Sequence, residues 1–232
     1  MIFGHKRLVT AVNIISGCTK SRFESETNHR AYAAVHGYSY EFDSKPRDLK
    51  SPYDHKMYAI LDQPVDNEWC FWMDDDAFFM QLDTPLESFL TDVPRYTQMI
   101  FPKSPVNPQG GWTYLSSGNF FFKRSQAVHD FFERALTLDL VMIREWWDAE
   151  KYGMFTKGDQ DKIVYALAHS WRLRRATQIT PYSTFNFRPY HFEKSADEHF
   201  LVHFATPGIS KDDSITEFQA RFGFPDRSLL SD

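Results

Sequence analysis

The chain has 232 residues, of which 42% are hydrophobic and 25% charged, with a formal net charge of −5. This excludes a disordered or fibrous chain and fits one folded domain over 1–232, while the acidic balance and the shortness of basic runs such as Arg172 to Arg175 argue against nucleic acid as a partner. No run of about eighteen apolar residues is present, and no long apolar segment follows the first positive charges, so neither a membrane span nor a signal peptide is expected and a cytosolic location follows, unless the chain is an excised domain.

Arg7 to Ile15 reads as a first strand, β-branched and almost uninterrupted in its apolar character, as expected when both faces of a sheet are covered. Ser21 and Glu24 have the capping-box spacing, Phe23, Thr27, Ala31, Ala34 and Val35 fall on one helical face, and Gly37 stops the helix. Tyr38 to Asp43 alternates as a second strand, Tyr53 to Gln63 reads as a second helix, and Trp69 to Met73 as a third strand. The alternation predicts an α/β domain with a mixed, mainly parallel sheet flanked by helices, whose ligands lie at the carboxyl ends of the strands.

The second half is more mixed. Phe101 to Gly118 is rich in Pro, Gly and Ser and reads as a loop, Asn119 to Lys123 as a strand, and Ser125 as the cap of one long helix reaching about Trp147. A helix begins at Gly158 with Asp159 as its cap, a late strand covers Phe200 to Thr206, and a terminal helix starts near Ser214. Cys18 and Cys70 lack metal-ligand spacing and read as buried free thiols. The aromatic share, 17% with 22 Phe, 11 Tyr and 6 Trp, suits aromatic surfaces for a flat ligand as well as core.

Three consecutive carboxylates, Asp74, Asp75 and Asp76, follow the third strand directly. Like charges so close need a cation or divergent directions, and in an extended segment Asp74 and Asp76 share a face while Asp75 does not. A hard divalent ion, Mn²⁺ or Mg²⁺, is the economical partner, completing its shell with water and diphosphate oxygens. A solvated acidic turn is the plain alternative.

The stretches from Asn28 to Phe42, His55 to Ile60, Trp69 to Phe79, Ser116 to Ser125, Gly158 to Leu167 and Phe200 to Thr206 occur in an order that resembles nucleotide-sugar-dependent glycosyltransferases of the GT-A fold. The nearest likeness is to the retaining family of fungal Golgi galactosyl- and mannosyltransferases and plant xyloglucan xylosyltransferases. The resemblance implies that Asp74, Asp76 and His203 hold the metal. It implies donor contacts from Lys56, Asp75, Ser117, Gly118 and Asn119, and by fold analogy places the base and ribose at Thr10, Ala11 and Asn13. It makes Gln160 and Asp161, with Asp159 beside them, candidates for the reaction face. His191 and His199 match no motif. The family's eukaryotic members are Golgi-anchored, so the expectation is a bacterial or viral cytosolic enzyme or an excised catalytic domain. The nucleotide-sugar half covers about 1–100 and the acceptor and catalytic half about 101–232.

Trp112 and Tyr114 lie where flat rings of a mobile loop can stack on an acceptor sugar, or simply pack on the body. Trp146 and Trp147 read as core or interface aromatics. Two other classes stay open: an Asp-x-Asp phosphatase or phosphotransferase, against which Phe78 stands where that pattern wants Thr or Val, and a carbohydrate-binding protein, against which the strand and helix alternation speaks.

Overall fold

The computed structural model describes residues 12–18, 23–206 and 208–225. Strand β1 (Asn13–Gly17), helix α1 (Ser25–His36), strand β2 (Tyr40–Asp43), helix α2 (His55–Leu61) and strand β3 (Trp69–Met73) follow in the expected order. Gly37 ends α1 in the left-handed conformation, with φ 70°, which glycine adopts without a Cβ penalty. Ser21, half of the expected capping box, lies outside the described residues, and Glu24 occupies the cap position without a side-chain bond.

Strands β4 (Ala77–Phe79), β5 (Met99–Pro102), β6 (Asn119–Lys123), β7 (Thr177–Thr180) and β8 (Leu201–His203) complete the strand set. The main sheet runs β2-β1-β3-β6-β5-β7, with β6 antiparallel to both neighbours and the other pairs parallel. A second, two-stranded sheet pairs β4 with β8. Strands β4, β5 and β7 were not expected from the sequence: each has three or four residues, too few for an alternation to stand out from its surroundings.

The expected long helix from Ser125 to about Trp147 is instead two, α3 (Gln126–Thr137) and α4 (Leu140–Trp146), and a short α5 (Ala149–Tyr152) follows beyond that span. Leu138 takes an extended conformation, and Asp139 and Asp148 each cap the helix that follows, their carboxylates accepting from Val141 N and Glu150 N. A buried apolar periodicity runs on across breaks that short polar caps introduce. Helices α6 (Asp159–Ala168), α7 (Trp171–Arg175) and α8 (Lys211–Phe222) follow, the last starting three residues before the sequence reading.

Alternation along β3 and β6 explains the layers. Cys70, Trp72, Phe120 and Phe122 face a core built with α2, α3 and α6. Phe71, Met73 and Phe121 face the opposite core, with Tyr32 of α1, Leu86, Leu90 and Phe185. Both faces being covered is why β3 is apolar throughout. A third cluster joins Phe78 and Val202 of the small sheet, with Phe204 just after it, to Phe218 of α8. Cys70 is buried as expected, whereas Cys18 is only partly so. Trp146 and Trp147 pack on the first core. No helix among the described residues is long and apolar enough to cross a membrane.

Candidate active site at the carboxyl end of strand β3

The turn after β3 carries Asp74 to Asp76 and leads directly into β4. Pairing of β4 with β8 puts Ala77 opposite His203, and Phe204 N donates to Asp76 O at 2.9 Å, so a residue 127 positions downstream arrives beside the carboxylates by strand register. Side-chain ligand atoms of Asp74, Asp76 and His203 all lie within 4.8 Å of one another. His203 Nε2 is 3.2 Å from Asp76 Oδ1 and 4.0 Å from Asp74 Oδ2. Asp75 does not join this group, as the alternation argument anticipated. Burial, with Asp76 and Asp74 beside it, raises the Asp75 carboxyl to about 6.

These residues fit a divalent ion on structural grounds. Asp76 Oδ1 is buried and makes no well-aligned hydrogen bond; His203 Nε2 stands 3.2 Å from it, a second ligand atom that a shared ion would engage. Two oxygens and an imidazole nitrogen form a donor set suited to Mn²⁺ or Mg²⁺. Gly118 makes room for the ring: a Cβ there would stand 2.0 Å from His203 Cε1.

The surrounding charges are tightly arranged. Lys56 Nζ lies 3.0 Å from Asp74 Oδ1 and 2.9 Å from Asp159 Oδ2 and donates to Ser117 O at 2.6 Å. Burial works to lower the Lys56 ammonium, but Asp159 and Asp74 outweigh it and hold it above its ordinary value. Trp72 Nε1 donates to Asp74 Oδ1 at 2.7 Å, an i to i+2 partnership on one strand face. Burial raises the Asp74 carboxyl, with Lys56 opposing and Asp76 adding to the rise. Burial also pushes on Asp76, but His203 and Lys211 prevail and keep it below the usual carboxylate range. Lys211, the first residue of α8, contacts Asp76 Oδ2 directly. His203 is held below its ordinary value by burial and by the neighbouring Arg188 cation.

Other expected site residues fall as follows. Ser117 N donates to Gln160 Oε1 at 3.3 Å and Gly118 O accepts from Asp74 N at 2.7 Å, so the turn before β6 is bonded to both acidic elements. Asn119 is fully buried opposite Met73, and neither of its amide atoms has a hydrogen-bond partner. Asp159 is the first helical residue of α6 and pairs with Lys56; Gly158 holds the cap position the sequence reading gave to Asp159.

Asp161 is corrected more sharply. Its carboxylate is fully buried and accepts from Thr156 N and Oγ1, Lys157 N and Gly158 N, so it holds the turn that starts α6 and has no oxygen left for a reacting sugar. Asn13 is corrected as well: it opens β1 and pairs with Cys70, while Ser16 pairs with Met73, so it stands at the end of the strand away from Asp74. The apolar run ended at Ile15, and the sequence reading stopped the strand too early. Thr10 and Ala11 lie outside the described residues.

The expected mobile loop is pinned. Thr113 bridges to Gly153, Met154 N donates to Trp112 O, and Tyr114 meets Tyr152 edge to face with centroids 5.8 Å apart. Tyr114 therefore packs on the body, whereas Trp112 remains partly exposed.

Sequence reasoning missed Asn186, Arg188 and Lys211. Lys211 had a faint signal, a Pro-Gly turn leading from the His203 strand into a helix. Arg188 and Asn186 had none, because only the fold carries them to His203.

The sequence profile of the galactosyl transferase GMA12/MNN10 family matches residues 8–111, just under half of the chain, and agrees with the resemblance read from the motif order. A crystal structure of a glycosyltransferase involved in the glycosylation of the major capsid of PBCV-1 superposes with a TM-score of 0.63 at 14% identity, covering 90% of this chain and 99% of that one. This likeness shows the GT-A fold over nearly the whole chain. The galactosyltransferase LgtC, in complex with donor and acceptor sugar analogs, aligns over 94% of this chain and 99% of its own at 12% identity, with a TM-score of 0.48 that carries no argument. No curated protein matches the chain.

Proposed function

We propose that this chain, a glycosyltransferase of the GT-A type, is metal-dependent and moves a hexose or pentose from a nucleoside-diphosphate sugar, a UDP-sugar in the first instance, to a hydroxyl of a glycan or other acceptor with retention of configuration. The observation that carries the reading is the convergence of Asp74, Asp76 and His203, whose ligand atoms lie within 4.8 Å of one another in a buried setting. A divalent ion held there would act as a Lewis acid, offsetting the charge that develops on the departing diphosphate.

The chain's own residues supply the rest. Lys211 sits on Asp76 as a cation at the mouth of the site, and its Nζ is placed to turn to a diphosphate oxygen when that carboxylate takes an ion. Lys56 ties Asp74 and Asp159 together and so sets the distance between the metal turn and the start of α6. Gln160 follows Asp159, keeps its carbonyl on Ser117 N, and offers its amide nitrogen to the donor sugar. Asp161 acts at one remove by fixing the turn that presents Gln160. Asn119 offers an amide for a sugar hydroxyl, and the partly exposed Trp112 a ring for the acceptor. Within a retaining path the acceptor hydroxyl attacks on the face the diphosphate leaves, and the leaving phosphate takes the proton, so no second carboxylate base is needed.

A phosphatase reading would need Asp74 as a free nucleophile. Its Oδ1 is engaged by Trp72 and Lys56, which argues against that role.

Donor binding and hydrolysis across UDP- and GDP-sugars with Mn²⁺, Mg²⁺ or EDTA, for the native chain and Asp76→Ala, tests the reading. The expected result is turnover of one donor that disappears with EDTA and with the substitution; turnover indifferent to both would overturn it. Proton NMR of the product distinguishes retention from inversion.

A further inference from the structure

Arg188 is 4% exposed and, among the described residues, has no ion pair with a carboxylate. A buried guanidinium without a counter-charge is expensive, and burial lowers this one to about 10. Its Nη1 donates to Asn186 Oδ1 at 2.7 Å and to His203 Nδ1 at 2.9 Å. A guanidinium has hydrogens to donate and no lone pair to accept with, so Nδ1 must be the bare nitrogen of the ring. A neutral His203 then carries its proton on Nε2, the nitrogen 3.2 Å from Asp76 Oδ1 that an ion would need.

For Nε2 to bind an ion, its proton leaves and another is taken up at Nδ1, with no net change in the ring's charge. Nδ1 then needs an acceptor. Asn186 Oδ1 is 3.3 Å away, and the amide is held in that orientation by Nδ2 donating to Lys103 O at 2.9 Å. Nδ1 cannot donate to Asn186 and accept from Arg188 at once, so the guanidinium has to withdraw.

The charges agree with this. In the cluster joined by these contacts, Asp74, Asp76 and Asp159 balance Lys56, Arg188 and Lys211, and the adjoining Asp75, its carboxyl raised to about 6, adds at most one negative charge at neutral pH. A divalent ion alone would leave at least one uncompensated positive charge in a buried setting, which an anionic diphosphate arriving with it would offset.

We propose that Arg188 is a positioning residue that holds His203 in the tautomer a metal ion cannot use, so that divalent ion and nucleoside diphosphate bind together far better than either binds alone. The inference rests on the metal reading of Asp74, Asp76 and His203. It extends that reading by assigning the coupling to one hydrogen bond.

Two measurements test it. Long-range proton–nitrogen correlation spectra of ¹⁵N-histidine-labelled native protein without metal, with the His203→Gln spectrum to assign the signal, read the tautomer directly. Protonation at Nε2 is expected, and protonation at Nδ1 would overturn the proposal even if no variant folds. Electron paramagnetic resonance titration of Mn²⁺, with and without UDP or GDP, compares the native chain with Arg188→Met. The variant is expected to bind Mn²⁺ alone about tenfold or more tightly than the native chain and about as tightly as it does with nucleotide present, so that the enhancement by nucleotide shrinks by the same factor and, by linkage, the enhancement of nucleotide binding by Mn²⁺ shrinks with it. Unchanged or weaker binding of Mn²⁺ alone would overturn the role of Arg188. Native protein that binds no Mn²⁺ even with nucleotide would overturn the metal reading itself, whereas the tautomer measurement does not depend on metal.

Discussion

Lys56 Nζ stands 2.9 Å from Asp159 Oδ2, joining the first turn of α2 to the first turn of α6 across 103 residues of sequence. A second buried pair, Lys162 with Asp54 at 2.7 Å, spans the same two segments. The metal turn and the residues proposed to meet the sugar therefore share one rigid clamp.

Removing the cation from that clamp leaves two carboxylates without it. Lys56→Met is expected to destabilise the chain by about 3 kcal/mol and to depress activity. The double variant Lys56→Met, Asp159→Asn should recover part of the stability, because one of the two carboxylates left unpaired is gone. Chemical denaturation of these proteins and of the Asp159→Asn single variant checks this; a loss in the double variant equal to the sum of the two single losses would show that the pair is not coupled.

Asn119 offers the opposite balance. Both of its amide atoms are buried without partners, so Asn119→Ala removes no hydrogen bond from the folded chain and relieves a desolvated amide. Melting temperature is expected to hold or rise while kcat/KM falls about tenfold or more, the signature of a polar group kept for its ligand. A loss of stability with unaltered kinetics would place Asn119 outside the donor site.

Gly118→Ala tests the closeness of His203. The added Cβ would meet the imidazole at 2.0 Å and the ring must leave, while the backbone itself tolerates alanine. Mn²⁺ binding in the presence of nucleotide is expected to drop by about a hundredfold or more, with far-ultraviolet circular dichroism unchanged. Native-like metal affinity would mean that His203 is not a ligand.

Acid stability has a separate source. Burial pushes the His29 imidazole down to about 4, against an opposing hydrogen bond from its Nε2 to Ala77 O at 2.8 Å. The unfolded chain takes up a proton near pH 6.5 that the native chain refuses until about 4, so this contribution to stability is present above pH 6.5 and is lost as pH falls through that window. The loss is up to about 3 kcal/mol at its acid end. His191, also pushed down to about 4 by burial and Arg188, adds a share. Urea unfolding between pH 4.5 and 7 should show a shallower pH slope for His29→Gln than for the native chain; an unchanged slope would assign the effect elsewhere.

Much of this protein is legible without coordinates. The unbroken apolar run of β3 announces a strand covered on both faces, and the three aspartates that follow mark its carboxyl end as the place where ligands gather, because local sequence carries periodicity and charge. The motif order through Lys56, Asn119, Gln160 and His203 pointed to the GT-A fold, which the structure shows. Local pattern could not reveal strands as short as β4 and β7, nor the capped break that divides one expected helix into α3 and α4. It also could not say which carboxylates are spent: the resemblance made Asp161 a candidate for the reaction face, and only the turn folded over it, donating four hydrogen bonds, occupies its oxygens. Sequence by itself determined which chemical groups are available and the layers that carry them. Tertiary structure decided their partners, by pairing β4 with β8 to bring His203 to Asp76 and by seating Arg188 behind that histidine, because strand register and burial act between residues that no local spacing connects.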